Sequence, residues 1–267
     1  MVQQEISLRL PLFIMGPCSI ESEEVLMETA SFVERLSRKH SGDASFIFKS
    51  SFLKDNRTSH GTWQGPGLER GLELLRRAGE ATGLPLVTDI HGPEQAVPAA
   101  EVCSMIQIPA FLCRQTSLLE AAGATGVPVN VKKGQFMAPG NMKGAVEKLR
   151  ASGAPRVTLT ERGTFFGYGD LVVDMRSLTV MEPLCDGVIM DVTHSLQKPG
   201  AALDGSGGDR RFALQMARAA AAWGISGMFI EVHPRPAEAL SDSAVMVNFE
   251  GAENMVASAL EHWRRPE

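Results

Sequence analysis

Four residues far apart in the chain carry side chains that bind borderline divalent metals: Cys18, His194, Glu231 and Asp242. One thiolate, one imidazole and two carboxylates form a mixed donor set suited to zinc, iron, manganese or cobalt as a divalent ion. Each residue also has an ordinary explanation. A single buried Cys is usually a small apolar core residue. His194 could be a hydrogen-bonded core residue or a phosphate donor, Glu231 a salt-bridge partner of His233, and Asp242 a helix cap or loop residue. His233 shares a side with Glu231 in an ideal strand and is a weaker candidate ligand. A second group is cationic: Lys49, Lys54, Arg57, Lys132, Lys133 and Arg162, with Arg114 beyond. On a chain of net charge −5, that many cations suggest a heavily negative small molecule, with one or two phosphates and a carboxylate. Guanidinium forks suit such oxygens and Lys supplies point charge. Lys133 and Arg114 also read as surface or interface charges. Asp89 and Asn56 are suited to hydrogen-bonding hydroxyls.

These residues share an address. FIFKSS (46–51), PLVTDIH (85–91), VNVKKG (129–134), VTLTERG (157–163), VIMDVTHS (188–195) and FIEVHP (229–234) are short apolar runs that stop at ionisable or hydrogen-bonding residues. Together with LFIMGPC (12–18) and SMIQIPA (104–110) they make eight candidate strands, and helical patterns alternate with them. A helix follows the first strand, with Val25, Thr29, Phe32, Val33 and Leu36 on one face and Ser22, Glu23 and Glu24 at its start. Further helices are expected near 67–81, from Pro93, over 116–125, 141–151, 209–223, 236–241 and 250–263, with an apolar stretch near 171–181. SGGDRR (206–211) reads as a flexible loop opening a helix. Such alternation predicts parallel strands with right-handed crossovers. Eight units in 267 residues fit an α/β fold of the closed (β/α)₈ TIM-barrel type, one domain over 1–267. An open doubly wound sheet would call for a Gly-rich phosphate turn after its first strand, and GPCSIES is not one. In a barrel the first, seventh and eighth strands are neighbours. Cys18, His194 and Glu231 then converge at the C-terminal rim, and Asp242 folds back over them.

Composition is that of a globular protein, 44% hydrophobic and 21% charged. The acidic balance argues against general nucleic-acid binding. Cys18, Cys103, Cys113 and Cys185 show no paired spacing, which predicts a reduced, cytoplasmic setting. The opening MVQQEISLRLPLFIMGPC lacks a basic leading segment, and no run approaches the roughly 20 apolar residues of a membrane span.

With GPCSIES, FKSSF, KDNRTS, TDIH, QIPAFLCRQT, NVKKGQF, TERGTFFGY, LVVDMRS, DVTHSLQ and FIEVHP in this order, the chain resembles 3-deoxy-D-manno-octulosonate 8-phosphate synthase from about Phe13 to Asp242. The resemblance implies a (β/α)₈ barrel, usually tetrameric. It also implies condensation of phosphoenolpyruvate with arabinose 5-phosphate and release of inorganic phosphate, on the route to lipopolysaccharide. That family divides into a metal-dependent class with Cys at the position of Cys18 and a metal-independent class with Asn there. Cys18, His194, Glu231 and Asp242 therefore imply the metal class. Lys49, Ser51 and Lys54 would hold the phosphoenolpyruvate carboxylate side, and Lys132 and Arg162 its phosphate, with His194 close to metal and substrate. Asn56, Arg57 and Thr58 would receive arabinose 5-phosphate, Arg57 at its phosphate. Asp89 would lie near the sugar hydroxyls, and Arg114 would reach a neighbouring subunit's site.

The sister activity, 3-deoxy-arabino-heptulosonate 7-phosphate synthesis, uses erythrose 4-phosphate and typically has Pro-Arg where this chain has Asn56-Arg57. Leu53 stands where Asp is usual before the lysine. Trp63-Gln64 replaces a stretch that usually ends in Arg, and its Gln-Gly is similar to the heptulosonate enzymes. Two other readings differ in kind. One uses Cys18 as a nucleophile paired with His194; it gives Glu231 and Asp242 no task. The other is a phosphosugar-binding barrel that senses metabolites without turning them over.

Overall fold

The computed structural model describes residues 11–55, 63–165, 169–202 and 205–264. Asn56, Arg57 and Thr58 lie outside the described residues. Eight parallel strands close into a barrel: β1 (Leu12–Gly16), β2 (Ser45–Lys49), β3 (Leu86–Asp89), β4 (Met105–Ile108), β5 (Val129–Lys132), β6 (Val157–Glu161), β7 (Gly187–Asp191) and β8 (Gly227–Glu231). Neighbours pair in sequence order, and β1 closes the ring against β8 with Gly16 opposite Glu231. The (β/α)₈ expectation therefore stands. Among the described residues eight α-helices pack outside: α1 (Glu23–Lys39), α2 (Leu68–Thr82), α3 (Ala96–Ala100), α4 (Thr116–Ala124), α5 (Lys143–Ala151), α6 (Arg176–Met181), α7 (Ala213–Trp223) and α8 (Phe249–His262).

Side chains alternate across each strand, and this sorts the sequence into two cores. Leu12, Ile14, Ile47, Val87, Met105, Ile189 and Phe229 fill the barrel interior. Residues of the other parity, such as Phe13, Phe46, Val129, Val131 and Leu159, join the larger core beneath the helices. The same count of two carries each inward series to its polar tip: Ile47 to Lys49, Val87 to Asp89, Met105 to Gln107, Ile189 to Asp191 and Phe229 to Glu231. Apolar fill below and charge above are thus one periodic pattern.

Local chemistry fixes the flanking elements. Ser22 Oγ accepts the Val25 N–H at 3.1 Å and caps α1, with Glu23 and Glu24 complementing the helix dipole. Gly83 closes α2 in the left-handed conformation. Gly16 is required by close approach, because a Cβ there would overlap the Lys49 carbonyl. Four expectations are corrected. Cys18 and His194, read as strand ends, lie two and three residues beyond β1 and β7, where the chain leaves the ladder for the rim loops. Residues 236–241 form only a short 3₁₀ turn at Pro236–Glu238, because the backbone turns extended at Ala239 and ends it. Only 176–181 of the 171–181 stretch is helical; Thr164–Phe165 and Leu171–Val172 pair as a hairpin instead. A second hairpin joins 197–202 to 205–208, so part of the expected SGGDRR loop is strand, and Asp209 caps the 3₁₀ turn that leads into α7.

Candidate active site

At the rim above β1, β7 and β8, ligand atoms of Cys18, Glu231 and Asp242 lie within 4.8 Å of one another. His194 Nε2 is 3.4 Å from Glu231 Oε1 and 3.9 Å from Asp242 Oδ2. The four candidates from three distant stretches of sequence therefore meet. The Cys18 thiol donates to Asp242 Oδ2 at 3.1 Å. Asp242 sits at φ 49°, a left-handed conformation that Asp tolerates better than most residues. Its carbonyl accepts the Val245 and Met246 amides, which holds the turn.

His194 opens a 3₁₀ turn after β7, and Asp191 sets its orientation. Asp191 Oδ2 lies 2.7 Å from His194 Nδ1, while its Oδ1 accepts the backbone amides of Thr193 and His194. A carboxylate behind one ring nitrogen leaves the other nitrogen, Nε2, facing the cluster. Glu231 differs from every neighbour. It is fully buried and, among the described residues, neither carboxylate oxygen has a hydrogen bond; Lys49 Nζ approaches only to 3.7 Å. An unbonded buried carboxylate is costly unless a positive charge meets it. Thiol, imidazole nitrogen, two carboxylates and that orphaned pair of oxygens fit a divalent metal. His233 does not join them. It turns away, accepts the Arg235 amide at Nδ1 and faces Glu21 across 3.4 Å, because the chain leaves the strand after Glu231 and strand parity no longer applies.

The cationic wall faces this cluster. Lys49, buried at the end of β2, donates to the Cys18 carbonyl at 3.0 Å and lies 3.2 Å from Asp89 Oδ2. Burial opposes its charge, but Asp89 and Glu231 outweigh that and raise its pKa. Lys54 lies 2.5 Å from Asp242 Oδ2 and 3.4 Å from Cys18 Sγ, and its pKa is raised the same way, against burial, by Cys18 and Asp242. Burial and Glu231 push the Cys18 thiol up, with Lys54 and Lys49 pulling the other way. Lys132 donates to Asp191 Oδ2 at 2.9 Å and lies 3.5 Å above the Phe229 ring. Arg162 donates through Nη2 to Gln197 Oε1 at 2.6 Å, and Gln197 in turn donates to Asp242 Oδ1 at 2.9 Å. Arg162 Nη1 is buried with no partner among the described residues, a spare donor. Burial lowers the Arg162 pKa, with Asp191 and Asp242 opposing the shift.

Asp89 completes the rim. Burial would raise its carboxyl, but Lys49 and Lys132 hold it well below the usual carboxylate range. Ser51 Oγ donates to Asp89 Oδ2, so the serine proton is already committed. Gln107 Nε2 donates to Asp89 Oδ1 at 2.5 Å, Asn130 donates to Gln107 at 2.9 Å, and Thr158 and Thr160 donate to Asn130. Two expected cations are elsewhere. Arg114 is exposed in the turn before α4. Lys133 is fully buried behind the wall, paired with Glu161 at 3.4 Å, because it follows Val131 on the outward parity.

Sequence reading did not single out Asp191, Gln107, Gln197 or Phe229. Asp191 and Gln107 could have been found from one signal: each is the lone polar residue of its strand at the inward count of two.

The sequence profile described as the DAHP synthetase I family matches residues 9–262. Among curated relatives, a 2-dehydro-3-deoxyphosphooctonate aldolase of Nitratidesulfovibrio vulgaris is 56% identical over 229 residues, covering 86% of this chain and 83% of its own. Proteins of the same name from Desulfatibacillum aliphaticivorans and a Synechococcus strain are 48% and 52% identical. They cover 93% and 87% of this chain, and 90% and 81% of their own.

Proposed function

The chain belongs to the DAHP synthetase I family, and we propose that it is the octulosonate-forming member: it joins phosphoenolpyruvate, arabinose 5-phosphate and water into 3-deoxy-D-manno-octulosonate 8-phosphate and releases inorganic phosphate, a step in making lipopolysaccharide. The observation that carries the reading is one rim where a carboxylate-rich thiol cluster faces a wall of buried cations. Lys132 and the spare Arg162 donor hold the phosphate, and Lys49, with Lys54, takes the carboxylate side. Ser51 acts through Asp89, since its proton is engaged there. Asn56, Arg57 and Thr58 receive the sugar phosphate, Asp89 faces its hydroxyls, and Arg114 serves a neighbouring copy in a homotetramer.

Lys49, Lys54, Lys132 and Arg162 face Asp89, Asp191, Glu231 and Asp242, so the described rim is close to neutral. A substrate bringing a carboxylate and a phosphate of about two charges calls for further positive charge. Arg57 is one source. A divalent metal on Cys18, His194, Glu231 and Asp242 is the other, and when bound it supplies Lewis acidity or orientation for the aldehyde. The buried residues keep bulk water from the reacting carbons, and the fixed ammonium groups offset repulsion between two anions. Carbon 3 of the enol attacks the aldehyde carbon while water adds at carbon 2, and the hemiketal phosphate then loses phosphate. A nucleophilic Cys18 fits less well, because burial and Glu231 favour the protonated thiol.

A cytoplasmic setting is proposed from the four free cysteines; among the described residues no helix is long and apolar enough to cross a membrane. The deciding experiment is phosphate release from phosphoenolpyruvate mixed with four- and five-carbon aldose phosphates, with and without chelator. Release only with arabinose 5-phosphate, lost on chelation, is the expected result. Binding of both ligands without release would overturn the reading. Full activity of Cys18→Ser after chelation would remove the metal from it, and Cys18→Asn tests whether the site converts to metal independence.

A further inference from the structure

Lys132 and Lys133 are adjacent, as are Glu161 and Arg162, and each pair splits across the barrel wall. Lys132 and Arg162 enter the site, while Lys133 and Glu161 meet behind it. Lys133 Nζ lies 3.4 Å from Glu161 Oε1, 3.2 Å from Thr164 Oγ1 and 3.4 Å from the Gly163 carbonyl. It also contacts the Gly134 and Met137 carbonyls at 3.4 and 3.5 Å. Glu161 Oε1 accepts the Gly163 amide at 2.7 Å, and Oε2 accepts Ser177 Oγ of α6 at 2.7 Å. The joint thus ties the turn after β5, the turn after β6 and α6 into one knot. Gly163, at φ 91°, makes the turn that the Glu161 carboxylate then pins. The Lys133 amide to Thr160 carbonyl bond, at 2.8 Å, extends the ladder between the two strands to this level.

We propose that Lys133 and Glu161 are positioning residues: a charge-balanced buried joint that fixes the exits of β5 and β6, and through them the spacing of Lys132 and Arg162 for a phosphate group. Stability alone is a poor reason for such a pair, since apolar or neutral replacements of buried ion pairs are often neutral or stabilising. Geometry is a better one, because the two phosphate cations are each one backbone unit from the joint. The inference rests on the phosphate assignment made under Proposed function.

The test is the double variant Lys133→Met/Glu161→Gln, which removes both charges together. Calorimetry measures phosphoenolpyruvate binding to it and to the unaltered protein without aldose, beside melting temperature and KM for each substrate. The expected result is a near-unchanged melting temperature with phosphoenolpyruvate affinity weakened roughly tenfold, about 1.4 kcal/mol of binding. KM for arabinose 5-phosphate should stay within about twofold, as that ligand is held elsewhere. Ser177→Ala, which strips one hydrogen bond and keeps both charges, should show the same selective loss in smaller measure, and it serves if the double variant fails to fold. A fall in melting temperature with phosphoenolpyruvate affinity intact would overturn the proposal while leaving the proposed function standing. No phosphoenolpyruvate binding by the unaltered protein would overturn both.

Discussion

Asp89 and Glu231 are both buried carboxylates at strand ends within reach of Lys49, yet their surroundings are opposite. Asp89 has both oxygens bonded: Gln107 on one side, Ser51 and Lys49 on the other. Behind Gln107, Asn130 and two threonines all donate toward the carboxylate, across four adjacent strands. Among the described residues Glu231 has no hydrogen bond on either oxygen, and has near approaches from His194 and Lys49. The first is completed by the protein itself. The second has only the distant Lys49 charge at 3.7 Å, which leaves room for the proposed metal, so one rim carries a finished carboxylate and a more open one.

Stability should separate the two most sharply. Asp89→Asn leaves Lys49 without its closest counter-charge and should cost about 3 kcal/mol, as breaking a buried pair does. Glu231→Gln has no hydrogen bond to lose and should stay within about 1 kcal/mol of the parent, although activity disappears. Urea unfolding in chelator measures both, and equal losses would erase the contrast. Next in size is metal affinity. Asp191→Asn removes the carboxylate behind His194 Nδ1 and should weaken metal binding about 10- to 100-fold, read by competition with a chromophoric chelator.

Acid should expose the finished carboxylate in a third way. Asp89 has a folded pKa below its ordinary 3.8, so its contribution to stability is complete above that value and is lost as pH falls through the lower folded one. Urea midpoints should therefore drop as pH falls below about 4, and the drop should be shallower in Asp89→Asn. Asp191 and Asp242 are depressed too and keep part of the slope in that variant. The smallest effect lies away from the rim: Ser22→Ala should cost about 1 kcal/mol by uncapping α1, with activity unchanged.

The barrel, and the meeting of Cys18, His194, Glu231 and Asp242, were legible because strand period and strand adjacency are encoded locally. Apolar runs with polar tips need no partner information to be recognised. What was not legible depends on what each tip faces. Lys132 and Lys133 are one residue apart and alike in type, and only their parity on β5 sends one into the site and the other behind it. His233 carried a strand-parity argument past the point where the strand stops. Asp191 was hidden because it orients His194 rather than joining the cluster. Gln107 and Gln197 were hidden because an amide gains its role from the two groups it joins.

The barrel interior is filled by Leu12, Ile14, Ile47, Val87, Met105, Ile189 and Phe229, all essentially shut off from solvent. Those seven side chains occupy the barrel axis beneath the rim, so among the described residues a molecule that meets Cys18 and Glu231 approaches from the side of the rim loops and not along the axis.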